Sequence, residues 1–382
     1  MKNEALLALL LRGALIEKTG YPWTISFEQA KINLTTDLKI DLGDLSITIE
    51  NERQIIEARE KIARAINNYV PGKSPVSIWV KCNKNNYGYI CASDTEKPAK
   101  TDFGISRSLA VKNRIVLVTG GAQGFGEEIT RGLVSAGALV FIADLNIEGA
   151  EKLAETINRE QGKTAAFPAE VNVADEASVE KMVETIALTA GGLDLCVSNA
   201  GVLRAAAILE QDINSFKFVT DINYTAFAVV TKHCGLLMRA QNLCAPSWMT
   251  DIIQINSKSG LDGSNKNGAY AGSKFGSIGL VQSFAKELVE YRIKVNAVCP
   301  GNFFVGSLWA DPAKGLFVQY LKTGKVPGAK TIEDVKAFYE AKVPMGRGCT
   351  GPDVIRAVLY LVEQVYETGQ ALPVTGGQVM LG

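Results

Sequence analysis

Residues 119–126 read T-G-G-A-Q-G-F-G, between the apolar run Ile115–Thr119 and a helical pattern over Glu127–Ala136. Strand, glycine loop and helix in that order leave little freedom of fold. The run is short, continuous and apolar, as a parallel strand buried on both faces must be. Gly120 permits the tight turn, while Gly124 and Gly126 let the backbone approach a diphosphate and let helix and strand pack closely. The helix N-terminus then faces the anion. The alternation continues with strand Leu139–Ala143, helix Glu148–Gln161, strand Thr164–Val171, helix Glu176–Thr189 and strand Leu193–Ser198. Further strands are expected at Ile252–Ile255, Lys294–Cys299 and Ala371–Val374, with a helix at Asp353–Glu363. Helices between short apolar strands predict an α/β fold, a doubly wound parallel sheet of seven strands.

The second strand ends in Asp144, about twenty residues past the glycines, where a carboxylate can accept hydrogen bonds from a ribose 2′-hydroxyl and repels a 2′-phosphate. Gln123 and Leu145, the neighbouring positions where a cation would welcome that phosphate, are uncharged. NAD is therefore favoured over NADP. The fourth strand runs into S-N-A-G, where Asn199, Ala200 and Gly201 make a small-residue turn that lets the backbone lie against a cofactor. A long helical region follows over Asp212–Arg239 and contains Asn223, an amide on an otherwise apolar face. It reads either as satisfaction of a helix kink or as part of a proton relay.

Ser257 to Lys274 read S-K-S-G-L-D-G-S-N-K-N-G-A-Y-A-G-S-K. Tyr270 and Lys274 are four residues apart at the start of a helix expected to run to Glu290, so they share one face. An ammonium beside a phenol favours phenolate and is expected to draw the Tyr270 pKa down from about 10. Such a phenol can exchange a proton with a carbonyl or alcohol oxygen. Ser257, at the C-terminal end of an apolar strand, is placed to hydrogen-bond the same oxygen.

Lys+Arg and Asp+Glu are both 40, which argues against binding nucleic acid by bulk charge. The seven cysteines form no CxxC pair, and the single histidine, His233, has no ligand cluster around it. Reduced thiols, no metal site and a cytoplasmic protein follow from that usage. The early A-L-L-A-L-L-L run is preceded by Glu4 and interrupted by Arg12. It reads as an amphipathic or buried helix rather than a signal peptide, and no run reaches the roughly 18 apolar residues of a membrane span.

The first 92 residues are expected to form a small α+β domain. The pattern gives a helix from Met1 to Lys18 ending near Gly20, strands at Lys31–Ile40 and Leu45–Glu50, and an amphipathic helix at Asn51–Tyr69. In that helix Ile55, Ile56, Ala63 and Ile66 form the apolar face. Two short strands, Val76–Val80 and Tyr87–Cys91, flank the turn Asn83-Lys84-Asn85-Asn86. No catalytic constellation lies in this unit, and a structural or oligomer-forming role is the expectation. Trp23, Trp79, Tyr87 and Tyr89 suit a core or a pocket equally. Residues 93–111, polar and irregular, read as a linker, and 112–382 as the second domain.

These motifs resemble the short-chain dehydrogenase/reductase family. The resemblance covers about Asn113 to Gly382 and rests on Thr119–Gly126, Asp144, Asn199–Gly201, Asn223, Ser257, Tyr270, Lys274 and Pro300-Gly301. It implies a Rossmann fold and a tetrad of Asn223, Ser257, Tyr270 and Lys274. Tyr270 would be the acid/base, Ser257 the carbonyl-orienting donor, Lys274 the holder of the nicotinamide ribose, and Asn223 the holder of a relay water. Cofactor contacts are implied for Gly120, Gln123, Gly124, Phe125, Gly126, Asp144, Asn172, Val173, Asn199, Ala200, Gly201, Tyr270, Lys274, Pro300 and Gly301. Asn172 stands where an Asp is usual, and Ser198 where an Asn is. The family also implies a homodimer or homotetramer, paired through the helices after strands four and five.

Three segments, I-I-Q-I-N-S-K-S-G (Ile252–Gly260), K-V-P-M-G-R-G-C (Lys342–Cys349) and V-T-G-G-Q-V-M (Val374–Met380), are similar to the family's polyol-phosphate dehydrogenases. The implied reaction interconverts a sugar-alcohol phosphate and a ketose phosphate with NAD. Cations and amides suit such a substrate. Asn256, Lys258, Asn302 and Arg347 are the candidate substrate residues, with Lys266 and Asn267 nearby. A substrate lid is expected over 301–343, carrying Lys314, Lys322, Lys325 and Lys330. Two alternatives stand beside this reading: an unphosphorylated polyol or other secondary alcohol as substrate, and a non-catalytic NAD-binding sensor or scaffold.

Overall fold

The computed structural model describes the chain except residues 29–36, 46, 49–50, 70–74, 94–99, 102–103, 106–108, 314, 323, 325 and 381–382. Helix α1 (Asn3–Thr19) opens the chain and stops at Gly20, whose φ of 73° is a left-handed cap. Residues Ala5 to Ile16 are all buried, and a helix apolar on every side has to be wrapped on every side. On one side lie strands β1 (Thr24–Phe27) and β2 (Leu38–Asp41), helix α2 (Glu52–Asn68), and strands β3 (Val76–Cys82) and β4 (Asn85–Ala92). The four strands form one mixed sheet in the order β1-β4-β3-β2.

Three expectations are corrected here. Within 45–50 the described residues form no strand; Leu45 and Ile47 are buried without joining a ladder. The buried stripe of α2 is Ile55, Ala58, Ile62 and Ile66, and Ile56 is 38% exposed. The β3–β4 hairpin pairs Cys82 with Asn85, so its turn is Asn83-Lys84 alone, with Asn83 at φ 55°. The described part of Lys31–Ile40 is strand from Leu38 onward; the rest lies outside the described residues. A short hairpin, β5 (Lys100–Thr101) with β6 (Gly104–Ile105), falls in the expected linker.

The remaining chain builds the parallel sheet: β7 (Ile115–Thr119), α3 (Gly124–Ser135), β8 (Leu139–Asp144), α4 (Ile147–Gln161), β9 (Ala166–Glu170), α5 (Glu176–Ala190) and β10 (Leu195–Ser198) come first. Then follow α6 (Ile213–Thr220), a π-helical turn Asp221–Thr225, α7 (Ala226–Cys244), β11 (Thr250–Ile255), α8 (Gly268–Leu288) and β12 (Ile293–Pro300). The chain closes with α9 (Ser307–Ala310), α10 (Leu316–Lys322), α11 (Ile332–Glu340), α12 (Gly351–Glu363) and β13 (Ala371–Val374). The seven strands are all parallel and ordered β13-β12-β11-β10-β7-β8-β9. The order reverses between β7 and β10, and a crevice at the C-terminal ends of those strands is where such sheets bind ligands.

The other side of α1 packs on α5 and α7, and one continuous apolar core runs from the first strands through α1 to one face of the parallel sheet. Arg12, fully buried in the middle of α1, anchors that contact. Its guanidinium donates to both oxygens of Asp194, at 3.0 and 2.7 Å, to Gln241 Oε1 at 2.7 Å, and to the Trp23 carbonyl. Asp194 also accepts from the Ile115 amide at 2.8 Å and from Trp248 Nε1 at 2.9 Å. Burial alone would raise its carboxyl; Arg12 and these donors outweigh it and hold the pKa below the ordinary value.

Among the described residues no helix is long and apolar enough to cross a membrane and no cluster could hold a metal ion. The seven cysteines are free and buried. His233, at 3.0 Å from Glu176 on the surface of α7, has no place in the crevice.

Candidate active site

The glycine loop leaves β7 and enters α3 with Gly124 at φ 58°, a conformation that favours glycine. At Gly126 a Cβ would lie 1.9 Å from the Gly120 carbonyl oxygen and 2.7 Å from Asn199 Nδ2, so only glycine fits. Asn199 holds the turn from the other side. Its Nδ2 donates to the carbonyls of Thr119 and Gly120, both at 3.0 Å, while Thr119 Oγ1 accepts from the amides of Asn199 and Ala200. Thr119 is a supporting residue that the sequence did not single out. Asp144 Oδ2 accepts from the Ala122 amide and Oδ1 from the Asn146 amide, each at 3.0 Å. This pins the carboxylate beside the loop. Asn172 caps the Ala174 amide at 3.1 Å, and Val173 is buried below Ala200 and Asn223 in the crevice. The loop, the α3 N-terminus and Asp144 together fit a dinucleotide: a bare-backbone cradle for diphosphate and an acceptor for ribose. Gln123, the exposed N-cap of α3, makes no side-chain cap bond. Pro300 ends β12 and Gly301 follows it into the same crevice, the Gly301 amide donating to Val374.

Tyr270 lies in the first turn of α8 and Lys274 one turn on, with Lys274 Nζ 5.7 Å from the tyrosine ring centroid. The two do share a face. Lys274 is 4% exposed and donates to the Ile255 carbonyl at 2.9 Å. Burial pulls its amine down to about 8. The neighbouring Ser257 hydroxyl lowers the phenol. Burial is the larger influence, however, and the Tyr270 pKa lies above the ordinary value rather than below it. The expected lowering by Lys274 is thus corrected: the ammonium faces the Ile255 carbonyl.

Asn223 falls in the π-helical turn and is 3% exposed. Its Oδ1 accepts from the Val202 amide at 2.8 Å, and its Nδ2 donates to the Val202 carbonyl at 2.9 Å and to Ser273 Oγ at 3.3 Å. The amide thus ties the loop after β10 to α8, and the Asn223 backbone carbonyl accepts from Ser277 Oγ at 3.2 Å.

Ser257 and Tyr270 open onto a cavity of about 650 Å³. Asn256, Lys258 and Asn302 line it, as do Lys266 and Asn267. Arg347 does not: its guanidinium is held by both oxygens of Asp353, at 2.6 and 3.0 Å, at the start of α12. The segment where a lid was expected has its own aromatic core of Phe304, Trp309, Phe317, Tyr320 and Tyr339. Lys322 and Lys330 are exposed on it and do not line the cavity, whereas Trp309, Gln319 and Tyr320 do; Lys314 and Lys325 lie outside the described residues. Phe303, also unforeseen, stacks on Phe125 of the glycine loop with centroids 4.0 Å apart.

With this geometry in hand, the comparisons with known proteins are consistent. The family model "short chain dehydrogenase" matches residues 114–310. Sorbitol-6-phosphate 2-dehydrogenase of Escherichia coli (strain K12) is 33% identical over 271 residues, 70% of this chain and 99% of that protein. The crystal structure of sorbitol-6-phosphate 2-dehydrogenase from Erwinia amylovora superposes with a TM-score of 0.63 at 37% identity, covering 70% of this chain and 100% of that one. An actinorhodin polyketide ketoreductase with NADPH gives 0.60 at 28% identity, over 70% and 97% of the two chains. The chain belongs to the short-chain dehydrogenase family, and is an oxidoreductase of CH-OH groups built on a fold that binds a nicotinamide cofactor.

Proposed function

We propose that this protein interconverts a sugar-alcohol phosphate, of the sorbitol 6-phosphate type, and a ketose phosphate with NAD. The observation that carries this is Lys258. It follows Ser257 directly, lines the cavity and is half-buried. Among the described residues no carboxylate pairs with it, so its ammonium is available to a substrate phosphate. Lys266 and Asn302 add polar wall to the same cavity. Similarity to two sorbitol-6-phosphate 2-dehydrogenases supports the reading. Asp144 supports NAD over NADP by repelling a 2′-phosphate, with Leu145 beside it uncharged and 71% exposed.

In the oxidation direction Tyr270 Oη removes the proton of the substrate hydroxyl, and Ser257 Oγ holds that oxygen through a hydrogen bond. Lys274 places its charge near the phenol as phenolate develops, offsetting the burial that opposes it. The glycine loop, Asp144 and Lys274 would hold NAD, which would supply the hydride acceptor for the carbon bearing that hydroxyl, so that a carbonyl would remain. Unpaired buried cysteines support a cytoplasmic site, and the family resemblance supports a homodimer or homotetramer. The first 92 residues serve as a structural unit joined to the rest through α1.

A panel of hexitol and pentitol phosphates, each beside its free polyol, tests the substrate by absorbance of reduced cofactor. Turnover confined to phosphorylated members supports the proposal. Equal turnover of free polyols defeats it. Trp309 and Tyr320 in the cavity wall favour a second reading, a less polar secondary alcohol; turnover of such alcohols alone would establish it.

A further inference from the structure

We propose that Asn256 is a positioning residue, a brace that fixes Ser257 against the helix carrying Tyr270 and Lys274. It lines the cavity and was expected to touch substrate, but its amide faces inward. The residue is 4% exposed. Oδ1 accepts from the Ser257 amide at 2.8 Å. Nδ2 donates to Gln254 Oε1 at 2.9 Å and to the Lys274 carbonyl at 3.0 Å. The Asn256 backbone amide donates to Val298 at 2.7 Å, which ties it to β12 as well. Each polar atom of the side chain is committed to protein.

The brace works in both directions. Asn256 reaches from the end of β11 to the backbone of Lys274, and Lys274 Nζ reaches back to Ile255 at 2.9 Å. The strand end and the helix are thereby stitched at two points around the catalytic pair. Ser257 then turns into a short 3-10 segment, Lys258–Gly260, and a Cβ at Gly260 would lie 2.3 Å from Asn256 Oδ1 and 3.0 Å from the Lys274 carbonyl oxygen. That turn packs closely on the amide, and its three hydrogen bonds set its orientation. Only an amide supplies an acceptor for Ser257 and donors for Lys274 and Gln254 together. Aspartate would set a carboxylate against two acceptor oxygens, serine is too short to span the gap, and leucine fills the space without a bond.

The consequence for chemistry runs through Ser257. Its hydroxyl, which accepts from the Ser259 amide at 3.1 Å, is the group that lowers the phenol of Tyr270. A Ser257 backbone no longer held by Asn256 lets the hydroxyl drift, and displacement of about 1 Å can cost on the order of 100-fold in rate. Asn256→Leu is expected to lower kcat by about 10- to 100-fold, leave KM for NAD within about threefold, and move the Tyr270-controlled limb of the pH–kcat profile to higher pH. Asn256→Ser, which keeps a hydroxyl for Ser257 but not the reach to Lys274, should fall between that and wild type. Unfolding midpoints are measured on both; if the leucine protein does not fold, the serine protein decides. An unchanged kcat and pH profile in the folded variant overturns the brace, as does a rise in substrate KM alone, which would return Asn256 to direct substrate contact. The inference rests on Ser257 and Tyr270 as the reacting pair. Ser257→Ala tests that reading separately: if it keeps full activity the reading itself fails, whereas a dead Ser257→Ala beside a normal Asn256→Leu removes the brace alone.

Discussion

Replacing Arg12 by alanine removes the guanidinium that binds Asp194, Gln241 and Trp23 in a site with no access to water. Deleting one partner of a buried ion pair costs about 3–5 kcal/mol, because the other charge stays behind unpaired. Asp194 would retain donors at Ile115, Trp248 and Gln241, which places the loss toward the lower end, about 3 kcal/mol. At about 2.1 cal/mol/K of unfolding entropy per residue, a chain of 382 residues shifts by roughly 1 °C per kcal/mol, so the midpoint falls by about 4 °C. Thermal and urea unfolding of the whole chain read this out. A double-mutant cycle with Asp194→Asn isolates the pair, with a coupling expected above about 1 kcal/mol. The pH dependence has a definite sign. Asp194 is depressed in the fold, so its stabilisation is full above the unfolded value near 4 and is lost as pH falls below it. Arg12→Ala should flatten that acid dependence. A loss below about 1 kcal/mol with no coupling would refute the seating of α1 in the common core.

Gly126→Ala puts a methyl group against the Gly120 carbonyl and should abolish NADH binding, measured by cofactor fluorescence, while the protein stays folded. Lys274→Met should raise the unfolding midpoint of the cofactor-free protein at pH 7 while destroying activity. Burial holds that amine at about 8, so the cost of keeping it charged is present in full below pH 8 and disappears as pH rises from 8 toward the unfolded value near 10.4. Arg347→Ala should leave KM for the substrate unchanged and cost less than about 1 kcal/mol, since the pair is half exposed. Asp353, held at about 2 chiefly by Arg347, gives its stabilisation above pH 4 and loses it as pH falls toward 2; the variant should narrow that window.

The parallel sheet was legible because each strand is a short unbroken apolar run and each helix carries its own period. Ser257, Tyr270 and Lys274 were legible because one turn of one helix and one strand end bring them together locally. What failed depended on distance or on burial. Arg12 in the sequence is only an interruption of a leucine run; its partner stands 182 residues away. The rise in the Tyr270 pKa depends on walls assembled from several elements. Arg347 sits in a glycine-flanked loop that suggested a ligand contact, and its acceptor proved to be the N-cap region of α12. Leu45–Glu50 alternates as a strand does, yet its described residues have no neighbouring strand to pair with. Asn223 was placed at a kink or in a relay; it does sit in a π-turn, but its partners Val202 and Ser273 come from a distant loop and from α8.

Tyr270→Phe is the most direct test of the central claim, because it removes one oxygen and leaves the ring. The measurement is reduction of NAD by sorbitol 6-phosphate, followed at saturating substrate in wild type and variant, with NADH affinity as the control. The account predicts turnover by wild type and a loss of about 100- to 10,000-fold in the variant at unchanged NADH affinity. A phenylalanine variant that turns over at the wild-type rate would contradict it.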